Sequence, residues 1–420
     1  MIKRELFFES EIDAAVKEEA YLALLEEKES GRVGYYDLPE SEMLKRIEAF
    51  MDFMDEYDFE TRGIKNVVVI GIGGSSLGTR AVDELLAHTP ERNGRNLVFM
   101  ENVDPVEVQK NLEQIDFEES FFIAISKSGS TIETTSHLKL VIDHFDAPLE
   151  SEKFRNHFAF VTDAGSPLDK LGEEISVPVF HIPENVGGRF SVLSAVGLLP
   201  LTLLGYDTRA LLAGAKMLKD SFFDRQEDML VEKAYYYASH ADTFPINVLF
   251  AYGTPLRAFN AWYVQLWGES LGKVDASGNH VGMTPVGLIG SIDQHSFLQL
   301  LIEGPRDKTV TMIKVADFEV PVAIPDISLP HLEGTDYVNG VQFNTLLSAQ
   351  CDATMESIKQ QGIAVDRIEI GKLDTYNVGY MLFYYELLTS LCGHFLGIDT
   401  YNQPGVELGK RILKEKFVNQ

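Results

Sequence analysis

The chain has 420 residues, of which 45% are hydrophobic, and its formal net charge is −28. A chain of this length exceeds the usual size of one hydrophobic core, so two α/β domains are expected. The acidic balance repels nucleic acid and anionic membranes, and no apolar run approaches the roughly 18 residues that span a bilayer, so neither partner is expected.

The predicted elements begin with residues 1–59, a charged and periodic segment that reads as helical and lacks the apolar region of a secretory signal. Residues 60–215 are predicted to form a first α/β domain, because apolar strand candidates alternate with helical patterns. The strand candidates are 65–70, 96–100, 121–125, 158–161 and 177–180.

Residues 216–400 are predicted to form a second α/β domain, and residues 401–420 a C-terminal helix. The polar stretch 219–228 marks the boundary between the two domains, and strand signals resume at 246–250 and 309–315. The predicted fold class is therefore α/β, with two doubly wound parallel sheets and flanking terminal helices. The two cysteines lack metal-ligand spacing, which is typical of a reducing cytoplasm.

A glycine-rich loop follows the first predicted strand, with Gly71, Gly73 and Gly74 leading to Ser75 and Ser76. Glycines let the backbone approach a ligand closely, and a helix N-terminus offers unpaired N–H groups to an anion. A dinucleotide fingerprint needs a third glycine where this chain has a serine, and a nucleotide P-loop needs a lysine. A tight turn with a capping serine explains this loop equally well.

A second loop at a strand-to-helix junction places Ser126, Ser128, Ser130 and Thr131 around Lys127. One serine would suffice to cap a helix, whereas several hydroxyl donors beside a lysine suit a dianionic phosphate. Both loops leave the carboxyl ends of strands in one predicted sheet, where doubly wound folds bind ligands. The pair of loops therefore predicts a phosphate site.

Residues 256–272 read as a helix in which Gln265 and Glu269, four residues apart, share one face. A carboxylate shielded from water by Trp262 and Trp267 would be suited to act as a general base. The alternative is an exposed Glu269 that pairs with Lys273, also four residues away.

Three further side chains are candidates for chemistry. Arg189 follows two glycines in a shaped loop, and its charge suits the stabilisation of a developing oxyanion. Lys410 lies seven residues after Gln403, on the same helical face, and its alternative is a surface pair with Glu407. Nothing intrinsic to His295 separates it from the other histidines of the chain.

At these residues the sequence closely resembles the glucose-6-phosphate isomerase family, especially its shorter bacterial forms, from about residue 67 to 410. Six motifs carry the resemblance and keep their order: GIGGSSLG from Gly71, SKSGSTIET from Ser126, ENVGGRFSVLSAVGL from Glu184, WGESLGK from Trp267, GSIDQHSFLQL from Gly290 and YNQPGVELGK from Tyr401. The resemblance implies reversible isomerisation of glucose 6-phosphate to fructose 6-phosphate in glycolysis and gluconeogenesis, in the cytoplasm, without metal or cofactor.

The resemblance also implies a role for each candidate residue. Glu269 would move a proton between C2 and C1 through a cis-enediol, and Arg189 would stabilise the enediolate. His295 would open the sugar ring from the neighbouring subunit of a homodimer, and Lys410 would assist ring opening or hold the ring oxygen. The remaining residues would bind the phosphate or adjacent sugar oxygens (Gly74, Ser75, Ser126, Lys127, Ser128 and Thr131) or position the sugar (Gln265 and Gln403).

Three other functions remain open from the residues alone. A phosphosugar-binding regulatory protein would keep both loops, but it has no need of Glu269, Arg189 and Lys410 together. A nicotinamide-dependent dehydrogenase is suggested by the glycine loop, although Ser76 breaks its fingerprint. A related isomerase that also accepts mannose 6-phosphate fits the same motifs.

Overall fold

The computed structural model describes residues 2–56 and 63–418. The strands are β1 (Ile2–Leu6), β2 (Asn66–Ile70), β3 (Asn96–Met100), β4 (Ser120–Ile125), β5 (Phe158–Asp163), β6 (Val179–Ile182), β7 (Ile246–Tyr252), β8 (Lys273–Val274), β9 (His280–Val281), β10 (Thr284–Gly290), β11 (Lys308–Asp317) and β12 (Val365–Lys372). The α-helices are α1 (Ala14–Glu29), α2 (Met43–Glu56), α3 (Leu77–Leu86), α4 (Pro105–Gln114), α5 (Ile132–His144), α6 (Glu152–His157), α7 (Pro167–Ile175), α8 (Ala195–Leu203), α9 (Thr208–Phe223), α10 (Asp228–Ser239), α11 (Arg257–Leu271), α12 (Leu298–Glu303), α13 (Phe343–Gln360), α14 (Thr375–Leu396) and α15 (Glu407–Val418).

The first sheet has the order β3-β2-β4-β5-β6, and all its pairings are parallel. Strands β2 and β4 are buried along their whole length, as expected for parallel strands covered by helices on both faces. The strand order reverses between β2 and β4, so the loops that follow these two strands open a crevice at their carboxyl ends. The doubly wound prediction is confirmed for this sheet. Its last strand begins two residues later than predicted, after Pro178, which has no N–H to donate.

The second sheet has the order β1-β12-β11-β7-β10, in which β7, β10, β11 and β12 run parallel. Strand β1 pairs antiparallel with β12, from Ile2 opposite Ile370 to Leu6 opposite Asp366. The interpretation of the opening segment as wholly helical is therefore wrong for these five residues. The predicted helical character holds for α1 and α2, and residues 57–59 of that segment lie outside the described residues.

The hydrophobic core forms three layers around the two sheets. Alternate side chains of β2 point to opposite layers: Val67 and Val69 join a central core, whereas Val68 and Ile70 join an outer one. The central core also includes residues of the second sheet, such as Ile313, and a third cluster covers that sheet's outer face. One continuous apolar layer thus holds the two sheets together.

Helices α9 and α14 form the centre of this layer. Their backbones approach so closely that a Cβ on Gly379 would lie 1.8 Å from the carbonyl oxygen of Leu211, and one on Gly214 equally close to that of Tyr376. Helix α9 is continuous across the predicted domain boundary between residues 215 and 216. The domain limits therefore stay a prediction. At the predicted boundary the chain forms a packed helix, not an exposed linker.

Candidate active site

The two predicted phosphate loops meet at the crevice of the first sheet. A Cβ on Gly71 would lie 2.8 Å from the carbonyl oxygen of Ile125, so only glycine permits this approach between the ends of β2 and β4. The hydroxyls of Ser126 and Thr131 share a hydrogen bond of 2.8 Å, and Ser128 and Ser130 are exposed beside them. Hydroxyl donors are therefore gathered at the mouth of the crevice.

The helices that follow these loops begin without a hydroxyl cap. In the described part of the chain, neither Ser76 at the start of α3 nor Thr131 at the start of α5 makes a side-chain capping hydrogen bond. The alternative interpretation of the first loop is therefore wrong for the helix cap only, because the tight turn at Gly73–Ser75 is present and the Ser76 hydroxyl donates to the carbonyl oxygen of Gly73 at 3.3 Å. The first N–H groups of both helices are thus left without a side-chain cap among the described residues, and helix N-termini of this kind favour the binding of an anion.

Lys127 makes different contacts from those that a direct phosphate ligand would make. Its ammonium group donates to both carboxylate oxygens of Asp163, at 3.0 and 2.8 Å, and to the carbonyl oxygen of Glu184 at 3.0 Å. Burial raises the pKa of Asp163, while the nearby Lys127 charge opposes that rise. The lysine thus fastens its loop to β5, and binding of phosphate by Lys127 stays a prediction.

The loop that carries Arg189 lies directly against the first phosphate loop. A Cβ on Gly74 would stand 2.3 Å from the carbonyl oxygen of Gly188 and 2.9 Å from the backbone nitrogen of Arg189. Gly73 lies beside Gln265, whose Nε2 is 3.1 Å from the position of an added Cβ. The phosphate loop, the arginine loop and helix α11 therefore meet at one place.

The side chain of Arg189 is 2% exposed, and its guanidinium group is almost fully hydrogen bonded. It donates from Nε to Ser270 Oγ at 2.7 Å, from Nη1 to Gln403 Oε1 at 3.0 Å, and from Nη2 to the carbonyl oxygen of Thr400 at 2.7 Å. Burial lowers the pKa of Arg189, and the charge of Glu269 works against that change. An arginine side chain is effectively always protonated in proteins, so the group stays a cation, and its hydrogen bonds fix its position.

Glu269 lies next to this cation, with its Oε2 3.7 Å from Arg189 Nη1. Gln265 Nε2 approaches the same oxygen at 3.5 Å, as the spacing of four residues predicts. Trp262 and Trp267 of the same helix are buried almost completely, while the glutamate side chain is 29% exposed. The carboxylate is thus held by a rigid helix at the edge of the core and remains open to a ligand.

Lys273, the alternative partner of Glu269, binds elsewhere. Its ammonium group donates to the backbone carbonyl oxygens of Glu269 at 2.6 Å and Ser270 at 2.7 Å, which close the C-terminus of α11. The predicted alternative, a surface pair with the Glu269 carboxylate, is therefore wrong. Burial, reinforced by the charge of Arg189, lowers the pKa of Lys273 to about 8.

A cavity of about 560 Å³ opens beside Glu269, and Lys273, Asp399 and Gln403 contribute to its wall. Sequence reasoning treated Lys273 only as a possible surface partner and did not identify Ser270 or Asp399. For Lys273 the available signal was its position, because a basic residue in or just after the last turn of a helix tends to donate hydrogen bonds to the free backbone carbonyl oxygens there. Backbone acceptors such as that of Thr400 carry no signal in the side-chain sequence.

His295 lies far from Glu269 in the same chain. Gly268 packs near Pro285 at the start of β10, whereas His295 follows the end of that strand and is exposed. A strand rises about 3.3 Å per residue, so roughly 15–20 Å separate the two ends. One chain therefore does not bring this predicted pair together.

Lys410 also lies outside the site of its own chain. Helix α15 is exposed along its described length, and the lysine pairs with Glu407 at 2.7 Å, which is the alternative that the spacing left open. Across residues 2–56 and 63–418, no group of three or more His, Cys, Asp or Glu side chains is placed to hold a metal ion. Within the same ranges, each helix is too short or too polar to cross a membrane.

Comparison with known proteins gives a consistent result. Residues 38–419 match the model of the phosphoglucose isomerase family. The chain is 45% identical over 389 residues to the glucose-6-phosphate isomerase of Campylobacter jejuni, with 93% of each chain covered. A hypothetical protein of Thermus thermophilus has a similar solved structure, with a TM-score of 0.86, 33% identity, and 96% and 94% of the two chains covered. A glucose-6-phosphate isomerase of Chlamydia trachomatis, 23% identical, shares the fold at a TM-score of 0.80 over 99% and 88% of the chains.

Proposed function

The chain belongs to the phosphoglucose isomerase family and interconverts glucose 6-phosphate and fructose 6-phosphate, and we propose that Glu269 is the base of this reaction. The observation that carries the proposal is the placement of its carboxylate on the wall of a cavity, 3.7 Å from a buried arginine whose loop packs against Gly74 of the first phosphate loop. An aldose–ketose interconversion needs one base that reaches two adjacent carbons and a cation that neutralises the charge on oxygen. Both groups are present here in contact.

The proposed steps move one proton between carbons and one between oxygens, and they change no oxidation state overall. Glu269 takes the proton from C2 of the open-chain aldose, and the electron pair of that C–H bond forms the C1–C2 double bond of the enediolate while the carbonyl electron pair moves to O1. Arg189 stabilises the negative charge on oxygen, and transfer of the C2 hydroxyl proton to O1 moves that charge to O2. Return of the proton from Glu269 to C1 then re-forms a carbonyl at C2 and gives the ketose. Because four acceptors already fix Arg189, no reorganisation is needed when the charge develops.

Gln265 and Gln403 are proposed to orient the sugar. The Oε1 atom of Gln265 is buried and has no hydrogen-bond partner among the described residues. A buried acceptor without a partner costs about 1–3 kcal/mol, so a sugar hydroxyl that donates to it would gain affinity. Gln403 lines the cavity beside Glu269. Because its Oε1 accepts a hydrogen bond from Arg189, its amide N–H groups are the ones proposed to bind the sugar.

The phosphate is proposed to bind at the mouth of the crevice. Its ligands would be Gly74, Ser75, Ser126, Lys127, Ser128 and Thr131. The first turns of α3 and α5 add N–H groups without side-chain caps in the described chain. In a protein with a net charge of −28, such local donors are what attract a dianion.

His295 is proposed to act from the partner subunit of a homodimer, where it would open the sugar ring. Its distance from Glu269 along β10 supports supply by a second chain. Helix α15 supports the same proposal, because it leaves apolar side chains such as Ile412 and Phe417 46% and 72% exposed. Lys410 on this helix is proposed to assist ring opening once the dimer fixes the helix. We also place the enzyme in the cytoplasm, where two free and buried cysteines stay reduced.

The base is tested with purified protein and fructose 6-phosphate, with glucose 6-phosphate measured through its dehydrogenase. Glu269→Gln keeps the shape of the side chain and is expected to lower kcat by about 10²–10⁴-fold while phosphosugar binding is retained. Loss of binding at normal turnover would contradict the assignment. Binding of the phosphosugar by the wild type without turnover would favour a regulatory binding protein, and a parallel assay with mannose 6-phosphate measures the breadth of the substrate range.

The shared site is tested by mixing two inactive variants, Glu269→Gln and His295→Ala, after dissociation and reassociation. If each site combines a glutamate and a histidine from different chains, a mixed dimer has one intact site. Random reassociation of equal amounts then restores about a quarter of the wild-type activity. Activity that stays at the level of the separate variants would refute the shared site.

A further inference from the structure

Arg189 is fastened mainly by one irregular segment, residues 399–403, here called the clamp loop. Arg189 Nη2 donates to the carbonyl oxygens of Thr400 at 2.7 Å and Asn402 at 3.3 Å, and Nη1 donates to Gln403 Oε1 at 3.0 Å. The loop connects the end of α14 to the turn Pro404–Val406 and belongs to neither. The position of the guanidinium group therefore depends on the position of this loop.

Tyr401 ties the middle of the clamp loop to the protein core. Its ring packs on Phe190, the neighbour of Arg189, with a centroid separation of 5.4 Å. Its hydroxyl points away from the active site, donates to the Glu27 carboxylate and lies 2.9 Å from Ser390 Oγ. One side chain thus connects the clamp loop to α1 and to α14.

The carboxylate of Glu27 accepts hydrogen bonds from two tyrosine hydroxyls. Its side chain is 17% exposed, and the oxygen that binds Tyr401 also accepts a hydrogen bond of 2.6 Å from the hydroxyl of Tyr36. Burial raises the pKa of both tyrosines well above the usual value, so both phenols remain protonated donors across the physiological range. Hydrogen bonds to a carboxylate are about twice as strong as those between neutral groups.

We propose that Glu27 and Tyr401 are positioning residues of the isomerase: their hydrogen bond holds the clamp loop, and through it the guanidinium group of Arg189, against the Glu269 carboxylate. Neither residue lines the cavity beside Glu269. The inference rests on the proposed role of Arg189 in stabilising the enediolate. Because that charge exists only near the transition state, a displaced Arg189 lowers kcat, whereas KM changes only through the one sugar contact that Gln403 of the clamp loop is proposed to make. A displacement of about 1 Å is enough to cost up to 10²-fold.

The first experiment removes one hydroxyl. Tyr401→Phe keeps the ring on Phe190 and is expected to lower kcat by about 10-fold or more, with KM for fructose 6-phosphate within about two-fold of wild type. Glu27→Gln is expected to act in the same direction. The matched control is Tyr36→Phe, because that hydroxyl binds the same Glu27 oxygen but lies outside the clamp loop. Equal losses in Tyr401→Phe and Tyr36→Phe would overturn the proposal, because they would indicate general loosening of the network.

The second experiment asks whether Tyr401 acts through Arg189. If it does, adding Tyr401→Phe to an Arg189→Gln variant changes kcat by less than about two-fold, because the group that it positions is already absent. If the double variant instead shows the product of the two single reductions in kcat, the proposal is overturned. The results distinguish the two proposed roles. A normal kcat in Arg189→Gln refutes the role of the arginine. A lowered kcat in Arg189→Gln together with a normal kcat in Tyr401→Phe refutes only the positioning role of Tyr401. Thermal unfolding of each variant identifies any loss that reflects misfolding.

Discussion

Replacement of Arg189 by glutamine or lysine separates the charge of this residue from its fixed position. The nearest side-chain atoms of Glu269 and Arg189 are 3.7 Å apart, so a substrate oxygen that contacts both groups lies within about 4 Å of the guanidinium group. At that distance and an effective dielectric constant of about 20, a unit charge contributes about 4 kcal/mol, or about 10³-fold in rate. Arg189→Gln removes this term. Arg189→Lys keeps the charge, but three donors at one point cannot replace the planar fork, so a loss of about 10²-fold is expected.

The assay is steady-state isomerase kinetics in both directions, with thermal unfolding of each variant as the control for folding. Both variants should lose kcat with KM for fructose 6-phosphate changed by less than about three-fold, because the charge that Arg189 meets is made only in the transition state. If Arg189→Lys keeps kcat within about three-fold of wild type, charge alone suffices and the argument from fixed geometry is refuted. If Arg189→Gln does so, the arginine does not stabilise the enediolate.

Three further predictions follow from the same contacts. Gly74→Ala should raise KM for the phosphosugar by about 10-fold or more, because its Cβ would meet Gly188, whereas Gly188→Ala, with open space at its Cβ, should be nearly neutral. Thr131→Val should raise KM by about five- to ten-fold at unchanged kcat through loss of one hydroxyl, with Thr135→Val one turn away as the matched control. The pKa of Lys273 is lowered to about 8, so between pH 8 and about 10.5 this residue binds a proton in the unfolded chain but not in the folded one. The free energy of unfolding is therefore reduced by the full cost of burying the charge below pH 8, and it rises as the pH increases through this window. Urea unfolding should therefore show wild-type stability rising relative to Lys273→Met across that window, and parallel pH profiles would contradict the assignment.

The elements that the sequence predicts well are those in which one local pattern has one physical cause. Strand β2 is an unbroken β-branched run because both of its faces are covered, and its limits agree with the prediction to one residue. Strand β1 is not predicted because it is an edge strand whose three central residues, Lys3, Arg4 and Glu5, are all charged, and such a run resembles the exposed face of a helix. Its pairing partner lies more than 350 residues away, so no local window contains the signal.

The same distinction applies to the candidate site. The contact between Gln265 and Glu269 depends only on helical spacing, and the structure reproduces it. The position of Arg189 depends instead on backbone carbonyl oxygens of residues 400 and 402, more than 200 residues later, which any residue type would supply. His295 and Lys410 lie apart from Glu269 in one chain, and their predicted roles require the proposed second subunit.

The way the two sheets are joined explains how a reaction site can depend on parts so distant in sequence. The phosphate loops belong to the first sheet, whereas α11, which carries Glu269, packs on β10 of the second. A shear between the sheets would separate the proposed base, Glu269, from the proposed phosphate site by the same amount, and a displacement of about 1 Å would lower the rate of a reaction that needs both. The continuous central core, with α9 and α14 in backbone contact, resists this shear. The backbone of Arg189 packs against Gly74 of the first phosphate loop, and its side chain donates to Ser270 of α11, so the cation that is proposed to stabilise the transition state also links the two halves of the site.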